Sequence, residues 1–284
     1  WYKYSEVGNS RDSNRGVKQS MTKTYIPRFL EAGGRLQSQT RVKKISRSNG
    51  KWTLNAVTLD GEQKVEQEIR ARVLFMACGA IHTPSLLKRS GFQKNVGKTL
   101  NMHPTVKIVA EFEEQVNNDD SGVPGHQVKG FVPDVTLGGS ASTPPHLAMT
   151  LTDADASIAS VKEKWTRMFT YYTAVTEGKG KVLNLPFFED PLVWYSMGEE
   201  GYRKLGRGLR KLAELLFAAG AETLYPAING VPSISDENEI RQIPRQVSRS
   251  DASLMTVHLF SSCPMGENEN RCAVNSFGKL HGWD

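Results

Sequence analysis

One short apolar run, closed by a glycine, constrains the fold of this chain more than any other feature. Residues Val73–Cys78 read VLFMAC, begin with a β-branched residue and are followed directly by Gly79. A continuous apolar stretch of this length is typical of a strand buried on both faces, as in a parallel sheet. A helix is predicted next, from Thr83-Pro84 to a stop at Ser90-Gly91. This strand–turn–helix order predicts an α/β domain.

Turn signals divide the preceding segment into a loop, one helix and a small antiparallel sheet. Residues 1–20 are polar and rich in Gly, Ser and Asn, so we expect a surface loop. A helix is predicted around Tyr25–Leu30, and Gly33-Gly34 ends it. Alternating residues on both sides of Asn49-Gly50 predict a β-hairpin, and a second turn at Asp60-Gly61 leads to a further strand.

From about Thr105 the pattern changes to short strands with turns between them, which is typical of an antiparallel sheet. The strand-like pieces are residues 106–112, 126–132, 146–151, 167–175 and 181–185, and residues 177–180 suit a hairpin turn. One long amphipathic helix follows, with Leu205, Leu209, Leu212, Leu216 and Ala219 on one face and Gly220 at its end. We therefore expect a fold class of α/β plus α+β.

Composition excludes several classes of protein. With 284 residues, of which 38% are hydrophobic, the chain can bury a sizeable core in one large domain or two ordinary ones. No apolar run approaches the roughly 18 residues of a membrane span, so we expect no transmembrane segment. The formal net charge of +6 is spread out, and no basic patch interleaved with aromatics predicts a nucleic-acid partner. Three Cys and no secretory signal favour a cytoplasmic location.

Three stretches together resemble the glucose–methanol–choline (GMC) family of flavin-dependent oxidoreductases. Residues 78–92 (CGAIHTPSLLKRSGF) are similar to a family signature, although the family usually has Gly where this chain has Gln93. Residues 96–104 (VGKTLNMHP) are similar to the Gly, Leu and His-Pro pattern that follows it. Residues 258–266 (HLFSSCPMG) resemble the segment that carries the family's active-site histidine. The three stretches occur in the family's order.

The resemblance implies part of an FAD-binding Rossmann-like domain into which an antiparallel-sheet substrate domain is inserted. Residues 1–104 would belong to the FAD-binding domain, residues 105–249 to the substrate-binding domain, and residues 250–284 to the last part of the FAD-binding domain, with the active-site motif. The family's Gly-rich FAD motif and its C-terminal end are not in the sequence. We therefore expect a fragment that is inactive alone, whose partners are the missing segments of the same enzyme.

The implied activity is FAD-dependent oxidation of the CH–OH group of a small-molecule alcohol by an oxidase or a dehydrogenase. A hydride would pass to N5 of the flavin while His258 takes the hydroxyl proton. Histidine suits this role because its ordinary pKa of about 6.5 lies close to working pH. Without the resemblance, the simpler interpretation of His258 is an ordinary core or surface histidine held by a backbone carbonyl.

The resemblance also implies four cofactor-binding residues. Val42 would present its backbone to the adenine, and Gly79 with Ala80 would bring the backbone close to FAD, since glycine has no Cβ. His103 would lie near the cofactor. The alternatives are that Val42 is a strand core residue and that His103 fixes the turn before Pro104.

Two further functions stay open from the sequence. The chain could be a degenerate, non-catalytic relative that serves as a binding module. It could also be a small zinc-stabilised module, because two imidazoles and two thiols occur near the end of the chain at His258, Cys263, Cys272 and His281. No C-x-x-C pair holds these thiols, so the spacing supports zinc only weakly and we assign no metal ligands.

Overall fold

The computed structural model describes residues 20–119, 121, 127–159 and 161–283, so nearly all of the predicted loop at residues 1–20 lies outside the described residues. The elements in chain order are α1 (Tyr25–Glu31), β1 (Thr40–Ser48), β2 (Lys51–Asp60), β3 (Gln63–Ala71), α2 (Gly79–Arg89), β4 (Asn101–Met102), β5 (Thr105–Phe112), β6 (Gln127–Val128), β7 (Thr136–Gly139), α3 (Pro144–Asp153), α4 (Val161–Lys164), β8 (Met168–Ala174), β9 (Lys179–Leu183), β10 (Leu192–Ser196), α5 (Glu199–Ala218), β11 (Ala221–Pro226) and β12 (Leu259–Phe260). Short 3₁₀ helices occupy Trp165–Arg167 and Glu237–Gln242.

The chain divides into two compact units. The large-sheet unit consists of His103–Glu177, Met197–Val257 and the segment that ends at Ala32. The motif unit consists of Gly33–Met102, Gly178–Ser196 and His258–Asp284, and it contains nearly all of the three family-like stretches.

A five-stranded antiparallel sheet with the strand order β11-β5-β8-β7-β6 forms the large-sheet unit. Helix α3 packs against one face, where Val109 and Met168 share a core with Leu147 and Leu151. Helix α5 packs against the opposite face of β5, β8 and β11. The predicted apolar stripe of α5 is confirmed at its four leucines, which are buried. Its fifth predicted residue, Ala219, lies just past the end of the helix and is exposed, so it does not join the buried face.

The motif unit is built on the antiparallel sheet β1-β2-β3, against which α2 packs. Asn49 and Gly50 have φ angles of 51° and 73°, which is the geometry of a tight hairpin turn. The hairpin at this turn and the next strand after Asp60-Gly61 are both confirmed. Two smaller antiparallel pairs, β9 with β10 and β4 with β12, complete the unit.

The expected buried parallel strand at Val73–Cys78 is wrong. This segment is irregular, and Phe75 within it is 88% exposed. A strand forms only where the backbone of a neighbouring segment hydrogen-bonds to it. All pairs of described strands are antiparallel, and none of them includes residues 73–78. Helix α2 also begins at Gly79, earlier than the predicted start at Thr83-Pro84. The described fold is thus a mixed α/β structure with antiparallel sheets.

Two further elements differ from the expectation. Residues 146–151 form part of α3 and not a strand, because Pro144 and Pro145 favour the first turn of a helix and Leu147 and Leu151 have the i, i+4 spacing of one helix face. Residues 177–180 are not a hairpin turn, since β8 pairs with β5 and β7 while β9 pairs with β10. Within the described residues, no helix is both long and apolar enough to cross a membrane.

Candidate functional site

The motif unit brings residues of all three family-like stretches into one apolar core. Leu86 and Leu87 of α2 pack with Phe92 and Val96, and these contact Cys263 of the third stretch. Ile45 of β1 completes this core from the sheet. Stretches that are far apart in sequence therefore form one structural unit, held by ordinary apolar burial.

Hydrogen bonds fix the third stretch against the second. The Gly97 amide donates to the Ser262 carbonyl at 2.6 Å, and the Thr99 hydroxyl donates to the Ser261 carbonyl at 2.6 Å. Next to these bonds, β12 pairs with β4, and Leu259 lies opposite Met102. The backbone that carries the candidate base is therefore held in place by several independent contacts.

His258 directly precedes β12 and is exposed. Its backbone position is set by the β4–β12 pairing, and its exposure leaves it accessible to a small molecule. An imidazole can both accept and donate a proton near neutral pH, so it can serve as a general base once an alcohol is within hydrogen-bond reach.

The N-terminus of α2 carries the predicted cofactor residues Gly79 and Ala80. Gly79 is exposed with φ +79°, and a Cβ built there would have no heavy atom within 4 Å. The first turn contains no acidic residue, and the Cys78 amide donates to the Thr83 hydroxyl at 3.1 Å. The remaining amide donors and the helix dipole make this end of α2 suitable for an anionic group.

Val42 and His103 have clear structural contacts. Val42 is half-buried on β1 and packs against the apolar core of the motif unit. This packing fits the alternative in which Val42 is a core residue of the strand. His103 lies in the large-sheet unit, where its Nδ1 is 2.8 Å from the Thr176 hydroxyl. This bond fits the alternative in which His103 fixes the turn before Pro104. The cofactor roles of both residues stay predictions.

The zinc alternative lacks support in the structure. Within the described residues, no group of three or more His, Cys, Asp or Glu side chains could hold a metal ion. Burial raises the pKa of the Cys263 thiol to about 11, so without a metal ion this sulfur is a protonated, partly buried side chain that packs against the apolar core. The His281 Nε2 lies 2.8 Å from the Gly266 carbonyl oxygen, and this contact connects the two ends of the segment at residues 266–281.

Sequence reasoning missed the residues that fasten α2 to the β9–β10 hairpin. The buried Ser85 hydroxyl donates to Asn184 Oδ1 at 2.7 Å, and Asn184 Nδ2 donates back to the Ser85 carbonyl at 2.9 Å. Arg89 adds a bond to the Ser85 hydroxyl at 2.8 Å and one to the Glu189 carbonyl at 2.7 Å. No local sequence motif predicts these hydrogen bonds, because Ser85 and Asn184 are 99 residues apart.

Comparison with known proteins finds one matching family and several relatives. Residues 4–105 match the sequence profile of the family described as GMC oxidoreductase. An uncharacterised GMC-type oxidoreductase, y4nJ of Sinorhizobium fredii, is 36% identical over 271 residues, which cover 94% of this chain and 54% of that relative. An uncharacterised GMC-type oxidoreductase of Mycobacterium tuberculosis, Rv0492c, is 27% identical, and the alignment covers 90% of this chain and 41% of the relative.

A plant protein is a more distant relative. The long-chain-alcohol oxidase FAO4A of Arabidopsis thaliana is 23% identical over 296 residues, which cover 93% of this chain and 40% of that protein. The chain thus spans about half the length, or less, of the curated relatives it matches.

Proposed function

We propose, since this chain belongs to the GMC oxidoreductase family, that it carries part of an FAD-dependent enzyme that oxidises the CH–OH group of an alcohol. The observation that carries this proposal is the packing of the three family-like stretches into the motif unit. The long-chain-alcohol oxidase among the relatives supports an alcohol as the substrate class.

The N-terminus of α2 fits an FAD in two respects. The open space next to Gly79 allows a ligand to approach the backbone closely, and the helix N-terminus offers amide donors and a positive dipole end to a diphosphate. Gly79 and Ala80 would hold the cofactor there through their backbone. Val42 and His103 complete the proposed set of cofactor-binding residues. We further propose that the motif unit is part of a Rossmann-like FAD-binding domain, completed by segments of a longer polypeptide.

The proposed chemistry centres on His258. Its imidazole would accept the hydroxyl proton of the alcohol as the carbonyl double bond forms. When bound, FAD supplies the acceptor for the hydride that leaves the carbinol carbon. One alcohol thus loses a proton to the protein and a hydride to the cofactor, which yields one aldehyde or ketone. The hydrogen bonds from the Gly97 amide and the Thr99 hydroxyl to the segment that follows His258 would keep the backbone that carries the imidazole in place.

The test is anaerobic mixing of the FAD-loaded longer polypeptide, which contains this chain and the segments that complete the domain, with primary alcohols of increasing chain length. We expect loss of the visible flavin absorbance in proportion to the carbonyl product formed. Stable flavin binding with no bleaching by any alcohol would contradict the proposal and favour a non-catalytic relative that serves as a binding module.

A further inference from the structure

The β9–β10 hairpin of the motif unit turns one face to solvent. Exposure alternates from one residue to the next along both strands, and opposite residues of an antiparallel pair point to the same face. The outward face consists, from the loop end of the hairpin to its open end, of the opposite pairs Leu183 with Leu192, Lys181 with Trp194, and Lys179 with Ser196. Apolar side chains therefore lie near the loop, and lysines lie further from it.

The loop that joins the two strands, residues 184–191, carries two exposed aromatic side chains. Phe187 is fully exposed and Phe188 is 70% exposed. The φ angle of Phe187 is 66°, a left-handed value that a bulky residue rarely adopts. Packing inside the fold accounts for neither side chain, because exposed phenylalanines bury almost no surface. Neighbouring exposed apolar side chains mark a surface that contacts another molecule.

Polar contacts hold this loop in place and compensate its acidic charges. Asn184 bonds to α2 at the start of the loop. Arg41 donates to the Glu189 carboxylate at 2.9 Å and also contacts the Asp190 carboxylate. Lys43 forms a second ion pair with Glu189. The two carboxylates next to the aromatic side chains therefore do not leave the loop with a net negative charge.

The lysines of the outward face carry uncompensated positive charge. Lys179 and Lys181 are exposed, and neither ammonium group forms an ion pair in the part of the chain that the structure describes. The Lys181 Nζ lies 5.8 Å from the centroid of the Trp194 ring. At a rise of about 3.3 Å per residue, Lys181 and Lys179 lie about 7 Å and about 13 Å from Leu183 along β9. The hairpin thus changes from aromatic to cationic over a distance similar to the depth of a lipid headgroup layer.

This order of side chains matches the interface of an anionic lipid bilayer. Phenylalanines enter the boundary of the acyl chains, tryptophan lies at headgroup level, and lysines attract acidic headgroups. A protein partner fits less well, since lysine is depleted in protein–protein interfaces. We propose that the β9–β10 hairpin docks on an anionic lipid surface, with Phe187 and Phe188 inserted and Lys179 and Lys181 at the lipid phosphates. This attachment goes beyond the proposed function and needs neither FAD nor an alcohol.

The experiment is sedimentation of the longer polypeptide, which contains this chain, with vesicles of phosphatidylcholine alone or of equal parts phosphatidylcholine and phosphatidylserine. We expect tighter binding to the vesicles that contain phosphatidylserine, and weaker binding at high salt. The double variant Phe187→Ser and Phe188→Ser should weaken binding by about hundredfold. The double variant Lys179→Gln and Lys181→Gln should weaken it by about tenfold and remove most of the preference for phosphatidylserine.

Two exposed residues elsewhere in the motif unit provide matched controls. Phe277→Ser removes a phenylalanine that is 94% exposed, and Lys51→Gln removes an exposed lysine of β2. Both variants should bind vesicles as the wild type does. Chemical unfolding should show that the phenylalanine double variant keeps the wild-type stability, because its replaced side chains are exposed.

Three results would overturn the proposal. A wild-type polypeptide that binds neither kind of vesicle would indicate that other segments of the longer polypeptide cover the hairpin. Equal weakening by Phe277→Ser would indicate unspecific adsorption. Absence of vesicle binding together with a dimer that the phenylalanine double variant abolishes would identify a second copy of the chain as the occupant of this surface.

Discussion

The hydroxyl of Tyr225 donates a hydrogen bond of 3.1 Å to the buried carboxylate of Glu111, which is only 5% exposed. The other carboxylate oxygen accepts a bond of 2.8 Å from Lys164. These contacts join β11, β5 and the end of α4 on the α3 face of the sheet. Burial, and then the charge and hydrogen bond of Glu111, raise the pKa of Tyr225 to about 12.

The first prediction concerns this pKa. In Glu111→Gln the negative charge next to Tyr225 is lost, so the pKa of Tyr225 should fall below its value of about 12. It should stay above the ordinary value of 10.0, because burial is the largest cause of the shift and is retained. Tyrosinate absorbance during a pH titration measures this pKa, and Tyr225→Phe identifies the signal. An unchanged pKa in Glu111→Gln would show that the carboxylate does not act on Tyr225.

The second prediction is a loss of stability at alkaline pH. The folded protein holds the Tyr225 proton up to about pH 12, whereas the unfolded chain releases it near pH 10.0. The contribution of the protonated Tyr225 to the free energy of unfolding is therefore fully present below pH 10. It is lost as the pH rises towards 12. Urea unfolding at several pH values should show a steeper alkaline loss for the wild type than for Tyr225→Phe. Parallel curves for the two proteins would contradict the prediction.

The third prediction concerns the packing of α5. Gly206 lies against the chain at residues 244–245, and a Cβ there would be 2.5 Å from the Arg245 carbonyl oxygen. Alanine would gain about 1 kcal/mol of helix propensity, but overpacking against rigid backbone costs about 1–3 kcal/mol. We expect Gly206→Ala to lower the free energy of unfolding overall.

The matched control is Gly130→Ala, where a Cβ would have no neighbour within 4 Å. Chemical unfolding should give nearly the wild-type stability for this variant. A Gly206→Ala protein as stable as the control would show that α5 can shift away from residues 244–245 at little cost.

The fourth prediction tests the cofactor role of Gly79. Gly79 and Gly33 have φ angles of +79° and +83°, and a Cβ at either position would meet no heavy atom within 4 Å. Alanine should therefore strain the backbone to a similar extent at both positions, by about 1–2 kcal/mol. Only Gly79→Ala should also weaken flavin binding, by about tenfold, because its methyl group would enter the space in front of α2. Titration of the apoprotein with FAD measures this, and equal affinities of the two variants would remove Gly79 from the cofactor site.

Local signals in the sequence predicted the elements whose geometry depends on near neighbours. Asn49-Gly50 specifies a tight turn through residues that tolerate positive φ, and the hairpin forms there. The leucine spacing of α5 likewise specifies a helix with one buried face. The family-like stretches pack together in the motif unit, and the site residues that they imply stay predictions.

Elements that depend on distant partners were not predictable. The apolar composition of Val73–Cys78 suits a buried strand, but a strand also needs a neighbour, and no local pattern reports whether one is present. The bonds between Ser85 and Asn184 span 99 residues.

The most direct test of the account is the rate at which an alcohol bleaches the flavin in His258→Gln under anaerobic conditions. Loss of a general base should slow this step by about 10²- to 10⁴-fold. The control is His82→Gln, an exposed histidine on α2 of the same unit, which should bleach at the wild-type rate. A slow His258→Gln protein that still binds FAD and alcohol with wild-type affinity is the predicted result. Bleaching of His258→Gln at the wild-type rate would contradict the assignment of His258 as the base.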